Sequence, residues 1–276
     1  MTDDTADTQA QVETTDQPVQ PESTETDLQE RESPTVTASY EGKRVLVIQA
    51  HPDDAEFVCA GTIARWANEG AEVHYLSLTS GDKGSSDPDA DPVSLAATRE
   101  TEQRRAAEIL GVRSVTFMGY ADAMIVADLT LRRELVRAIR RLKPDALLCQ
   151  DPTVRYVGQG YINHPDHVAT GEAALAAVFP SARDRMTFPE LLAEGLDPHK
   201  VAEVFLYGAQ TPDVWVDTTA TVETKIAALR AHASQLGDWD PTEMIQTWSR
   251  DTASRHPDKP EGFGDFAESF KYFKLE

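Results

Sequence analysis

The sequence predicts an α/β protein whose mostly parallel sheet is covered by helices on both faces. Short apolar, β-branched runs alternate with longer runs of helical spacing, several of the helical runs stop at Gly or Pro, and the first strand is apolar almost throughout. Alternation of the two segment types is the signature of βαβ units. A continuous apolar run suits a strand buried on both sides.

The elements follow in order. Residues 44–50 (RVLVIQA) form the first strand, and a helix from about Phe57 to Glu69 stops at Gly70. Residues 72–79 (EVHYLSLT) form the second strand, followed by a polar, Gly-rich loop over 80–91 and a helix through Arg99 and Leu110 that Gly111 closes. The third strand is 114–120. In the next helix Leu131, Leu135, Ile139 and Leu142 recur at steps of four and three, while Arg132, Arg133, Arg137, Arg140 and Arg141 read as a solvated flank. Pro144 ends that helix, 146–151 (ALLCQD) is the fourth strand, and a further helix opens at Pro165, a residue suited to a first helical position. Strands are expected over 201–209 and 213–217. Val222, Ile226, Leu229, Ala233 and Leu236 mark one more amphipathic helix, and the aromatic-rich remainder reads as helical or irregular packing.

With 276 residues the chain is long enough to bury a large core. Residues 1–39 contain almost no large apolar side chain and read as a disordered acidic tail, leaving 40–276 as a single domain. The net charge is −21, of which residues 1–40 hold −9 and the rest −12. Such a balance argues against nucleic acid or an anionic membrane as partner, because both need a positive field. No signal-peptide pattern and no run of about 18 apolar residues is present, so the expected location is the cytoplasm. Cys59 and Cys149 sit among apolar neighbours and read as core thiols rather than a disulfide or a thiolate metal site.

Two clusters carry chemistry. Ala50-His51-Pro52-Asp53-Asp54-Ala55-Glu56 lies at the carboxyl end of the first strand, the edge where open α/β sheets bind ligands. Taken alone, it reads equally well as a helix cap and a turn histidine. The second cluster, Asn163-His164-Pro165-Asp166-His167, follows the fourth strand. In a doubly wound sheet the first and fourth strands are neighbours at the switch point, so the two clusters should face each other and offer a nitrogen and oxygen ligand set suited to a hydrolytic zinc site. His256-Pro257-Asp258 repeats the letters without a preceding strand and reads as a decoy. His74 is expected in a strand, His199 in a loop, and His232 in helix packing.

These residues make the chain resemble the LmbE-like, or PIG-L, family of metal-dependent N-acetylglucosaminyl de-N-acetylases. AHPDDAE at 50–56, TSGDKG at 79–84, Arg99 and Glu102 within RETE, LG at 110–111, Asp122, HPDH at 164–167 and KIAALRAHASQ at 225–235 carry the resemblance. It implies a Rossmann-like LmbE fold, with His51, Asp54 and His167 as metal ligands and Asp53 as general base. His164 would stabilise the oxyanion or protonate the leaving amine, Asp166 would orient it, and Arg99 and Asp122 would grip substrate hydroxyls. The residue before HPDH is often Gly in the family but is Asn163 here, and Tyr161 stands one position from where some members place a Tyr. The implied cofactor is zinc, with iron or another divalent ion also suited to such donors. The implied partner is a small N-acetylated amino-sugar conjugate, in a protein that does not insert into membranes and whose relatives form homo-oligomers. The implied reaction is removal of an acetyl group by activated water. The competing expectations are an amidase acting on a larger amide or thiol conjugate, and a sugar-binding protein without turnover.

Overall fold

The computed structural model describes residues 35–275. Four strands, β1 (Arg44–Gln49), β2 (Glu72–Thr79), β3 (Ser114–Tyr120) and β4 (Ala146–Gln150), lie where their apolar runs predict. A small hairpin of β5 (Tyr156–Val157) and β6 (Tyr161–Ile162) follows, then β7 (Glu203–Tyr207), β8 (Val214–Asp217) and β9 (Ala267–Lys274). Among the described residues the main sheet has seven strands in the order β3-β2-β1-β4-β7-β9-β8. The first five are parallel; β9 pairs antiparallel with both β7 and β8. As expected of the switch point, β1 pairs with β4, with Val45 opposite Ala146 and Val47 opposite Leu148.

The unbroken apolar run of β1 has a direct use. Successive side chains of a strand point to opposite faces, so Val45 and Val47 join the core on one side while Leu46 and Ile48 join the core on the other. In β4, Ala146 and Leu148 divide from Leu147 and Cys149 in the same way, and both cysteines are free and buried.

The helices among the described residues are α1 (Asp54–Val58), α2 (Ala60–Asn68), α3 (Pro92–Leu110), α4 (Leu129–Leu142), α5 (Pro165–Ala176), α6 (Glu190–Ala193), α7 (Val222–Leu229), α8 (Ala233–Leu236) and α9 (Thr242–Ser254), and after α5 the chain kinks at Phe179, whose φ of −135° and ψ of 123° are not helical. Gly111 closes α3 in the left-handed region at φ 76°, as its position predicts.

Four expectations need correction. The helix expected from Phe57 to Glu69 is broken at Cys59, because the amides of Gly61 and Thr62 donate to the Glu268 carboxylate at 2.9 and 2.7 Å. That contact caps a new helix from a distant strand. The helix expected through Leu236 breaks where His232 turns fully into the core. The aromatic-rich final stretch contains α9 and a full strand of the sheet. Arg140 is no solvated flank: it is fully buried and donates to the carbonyls of Ser181, Ala182, Asp184 and Thr187.

The tail reading for residues 1–34 lies outside the described residues. Residues 35 and 36 of the expected tail instead join the sheet edge, where Thr35 bridges to Trp215 and the Val36 amide donates to the Trp215 carbonyl at 3.0 Å. No described helix is long and apolar enough to cross a membrane.

Candidate metal and catalytic site

The site grows from the carboxyl ends of β1 and β4. Just after β1 the chain turns through Asp53, which adopts φ 93°, a left-handed conformation uncommon for any residue with a Cβ. Asp53 stands at the N-cap position of α1, yet its side chain makes no capping bond. Asp54 is differently occupied. Its Oδ2 accepts from the amides of Ala50 (3.1 Å) and His51 (2.8 Å) and from Gln150 Nε2 (2.8 Å), which leaves Oδ1 facing His167 Nε2 at 3.0 Å.

After β4 the hairpin of β5 and β6 returns the chain to α5. His164 caps that helix, its Nδ1 accepting from the Asp166 amide at 3.2 Å, so the proton of the neutral ring sits on Nε2. His167 Nδ1 bonds Asn163 Oδ1 at 2.9 Å, and Asn163 is itself fixed through Nδ2 to the Val154 carbonyl at 2.7 Å. Tyr161 donates its hydroxyl to the same Asn163 oxygen at 3.3 Å. The departure at Asn163 therefore sets the tautomer of His167, with Nε2 left as the free donor atom toward Asp54.

The two clusters meet as expected. The His51 and His164 rings lie 4.6 Å apart between centroids, and His51 and His167 5.3 Å. Donor atoms of His51, His164 and His167 all fall within 4.8 Å of one another, and so do those of His51, Asp122 and Asp166. His51 Nε2 faces Asp122 Oδ1 at 3.1 Å and Asp166 Oδ2 at 3.3 Å, while Nδ1 faces Asp54 Oδ2 at 3.7 Å. A carboxylate on one ring nitrogen with the other turned to the donors is the usual support of a metal-ligating histidine.

The protonation pattern agrees. Burial alone would lower the His51 pKa, but hydrogen bonds to Asp122, Asp166 and Asp54 outweigh it and push it up to about 12. Burial likewise opposes, and Asp54 likewise raises, the pKa of His167. Asp122 is held down to about 2, its His51 contact overcoming burial. The imidazoles of His51 and His167 with the Asp54 carboxylate make a nitrogen and oxygen donor set that fits a borderline divalent cation.

Three further candidate residues lie beside these donors. Asp166 is fully buried and its carboxylate accepts from the amides of Ala123 (2.8 Å) and Ile125 (3.1 Å) beside His51; it touches His164 only through its own amide. Asp122 supports His51 and accepts from the Lys83 amide at 3.1 Å, with Lys83 Nζ on its carbonyl. Arg99 is buried, its guanidinium donating to the carbonyls of Pro52 (2.7 Å) and Gly81 (3.0 Å) and to Asp53 Oδ2 at 3.2 Å. All three are buried.

A layer of polar side chains stands behind Asp53. The Gln103 carbonyl accepts from the Asp53 amide (3.1 Å) and from Gln49 Nε2 (2.8 Å), while its amide donates to Glu56 Oε1 at 2.9 Å. Fully buried His232 stands 3.5 Å from Glu56 Oε2, so its packing role includes a charged partner. Burial raises Asp53 to about 7, opposed by Arg99 and increased by Asp54. The decoy reading of His256 agrees with its place: it bonds Thr35 Oγ1 at 2.7 Å and packs on Trp215 and Phe263, although its Nδ1 accepts from the Asp258 amide just as His164 does from Asp166.

A doubly wound sheet with this donor cluster at its switch point defines an α/β protein with a candidate hydrolytic metal centre. Comparison with known proteins narrows the class: the GlcNAc-PI de-N-acetylase (PIG-L) family pattern matches residues 46–178. Diacetylchitobiose deacetylase of Thermococcus kodakarensis is 35% identical over 206 residues, 75% of this chain and 73% of the relative. A probable N-acetyl-alpha-D-glucosaminyl L-malate deacetylase 2 of Bacillus anthracis is 33% identical over 198 residues, 70% and 81% of the two chains. Among solved structures, N,N'-diacetylchitobiose deacetylase from Pyrococcus horikoshii aligns with TM-score 0.74 and 31% identity over 84% of each chain. The chain belongs to the PIG-L family.

Proposed function

We propose that this protein is a metal-dependent N-deacetylase that releases acetate from a small N-acetylglucosamine-containing conjugate. The observation that carries the reading is the meeting of the two clusters, with His167 Nε2 3.0 Å from Asp54 Oδ1 while Asp53 stays out of the capping bonds. His51, Asp54 and His167 would hold zinc, iron or another divalent ion. Bound there, such an ion polarises an amide carbonyl and lowers the pKa of water toward about 7.

The chain's own groups account for the rest. Asp53 takes the proton of the attacking water as the oxygen adds to the acetamide carbon. His164, neutral because burial and the nearby His51 lower its pKa, presents Nε2–H to the developing oxyanion. The carbon–nitrogen bond then breaks as Asp53 passes the proton it took from water to the departing amine nitrogen, and acetate remains. Asp122 and Asp166 keep His51 oriented, and Arg99 holds Asp53. The relatives' names, each a deacetylase of an N-acetylated sugar, support this substrate class. A homo-oligomer working in the cytoplasm fits the same reading.

The test is Asp53→Asn measured for acetate release and metal content together. Turnover should fall by about 100- to 10,000-fold, the range of a lost general base, with the metal retained. Full activity in that variant would overturn the mechanism.

A further inference from the structure

Asp53 holds a φ of 93° and a ψ of −22°, in the left-handed region. A residue with a Cβ keeps such a conformation only where its surroundings over-determine it. Two residues one turn apart on α3 supply the constraint. They grip the peptide plane that joins Pro52 to Asp53 from both ends: Arg99 Nη2 donates to its carbonyl oxygen at 2.7 Å, and Gln103 Oε1 accepts from its N–H at 3.1 Å. Residues four apart on a helix share one face, so a single element makes both contacts. On the other side of Asp53, its own carbonyl accepts from the Phe57 amide at 3.0 Å. With both flanking peptide planes held, the direction in which the Asp53 side chain leaves the backbone is set.

Which end of the Gln103 carboxamide faces Asp53 is decided one layer deeper. A carboxylate only accepts, and Glu56 Oε1 takes a proton of Gln103 Nε2 at 2.9 Å. The carboxamide oxygen is thereby left for the Asp53 amide and for Gln49 Nε2, which donates to it at 2.8 Å. The second Glu56 oxygen faces His232 Nε2 at 3.5 Å. Gln49, Glu56, Gln103 and His232 are all fully buried. A reversed carboxamide would set donor against donor at Asp53 and acceptor against acceptor at Glu56, with no solvent to make up the lost bonds.

We infer that Gln103 is a positioning residue for Asp53. Oriented by Glu56, it clamps the Pro52–Asp53 peptide together with Arg99 and so keeps the Asp53 carboxylate out of the capping bond of α1 and free for the attacking water. Gln103 bonds the Asp53 backbone and not its carboxylate, so it acts through Asp53 and touches no reacting atom. The catalytic consequence rests on the deacetylase reading; the clamp itself does not.

The variant Gln103→Met, close in length and without either polar atom, tests this. Its kcat for acetate release should fall about 10- to 100-fold, the scale of a misplacement near 1 Å, with KM and bound metal unchanged. The reciprocal pair Gln103→Glu with Glu56→Gln remakes the carboxylate–carboxamide bond in the opposite sense and leaves an acceptor for the Asp53 amide. It should recover most of kcat, and it serves in place of Gln103→Met if that variant does not fold. An undiminished kcat in Gln103→Met, a loss of kcat matched by loss of metal, or a pair that regains the original Tm without the original kcat counts against the inference. Crystal structures read the clamp without turnover: in Gln103→Met the φ of Asp53 should leave the left-handed region, and an Asp53 that stays there sinks the inference whatever the protein hydrolyses. Absence of acetate release by the unsubstituted protein, with the clamp behaving as described, would count against the deacetylase reading alone.

Discussion

At the scale of single residues, the site depends on side chains that hold other side chains. Arg99 is the clearest case, because its guanidinium sits 3.2 Å from Asp53 and works against the burial that pushes the Asp53 pKa up to about 7. A general base acts ionised, so activity should fall as pH drops through that pKa. In Arg99→Gln the opposing positive charge is gone, Asp53 keeps its proton to higher pH, and the acid limb of kcat/KM should move upward; an unmoved limb would remove Asp53 from the role of base. Asn163 acts on the other cluster, and Asn163→Ala, which frees the His167 tautomer, should weaken metal binding by about 10- to 100-fold in a competition assay with the fold unchanged. Undiminished affinity would mean that Asn163 does not support that ligand. The proposed reacting groups stand out in the sequence because His and Asp crowd two short motifs. Two of their supports do not: Gln103 and Gln150 reach the site from a helix and a strand, and a lone Gln carries no local signal. Arg99, Asp122 and Asp166 were singled out, but whether they face substrate or brace a neighbour depends on side-chain direction that spacing does not encode.

At the scale of elements, close approach between α5 and β4 aligns the two clusters. Gly171 of α5 makes the approach possible, since a Cβ there would lie 2.3 Å from the Gln150 carbonyl oxygen. Gln150 holds Asp54, so the contact links helix packing to the proposed ligand set. Gly171→Ala should lower stability by about 1–3 kcal/mol, the usual effect of overpacking, and should reduce metal affinity as well; an unchanged Tm would show that the backbone yields freely. Spans of β1 to β4 could be read because each is a dense apolar run bounded by turn residues. The breaks at Cys59 and His232 could not, because the apolar spacing continues across them and the interrupting contacts, Glu268 and Glu56, come from elsewhere. Arg140 shows the same limit. It lies four residues after buried Val136, on the inner face, but the carbonyls that receive it belong to residues 181–187.

At the scale of the whole molecule, β9 joins the parallel part of the sheet to β8. Phe270 is fully buried and pairs across to both Tyr207 and Val214. Its pattern of aromatics and lysines (AESFKYFK) was visible, but nothing local says that a strand so late will insert between two earlier ones. A protein truncated after residue 266 should lose cooperative thermal unfolding, because β7 and β8 would then have no partner between them; a retained sharp transition would show that β9 is dispensable. The insertion also has a consequence in time. About fifty residues separate β8 from β9, and at synthesis rates of about 5–20 residues per second β7 and β8 wait several seconds on the ribosome with open edges. Exposed strand edges recruit other chains, so the interval between making β8 and making β9 is when a crowded polysome is most prone to tangle nascent copies of this protein.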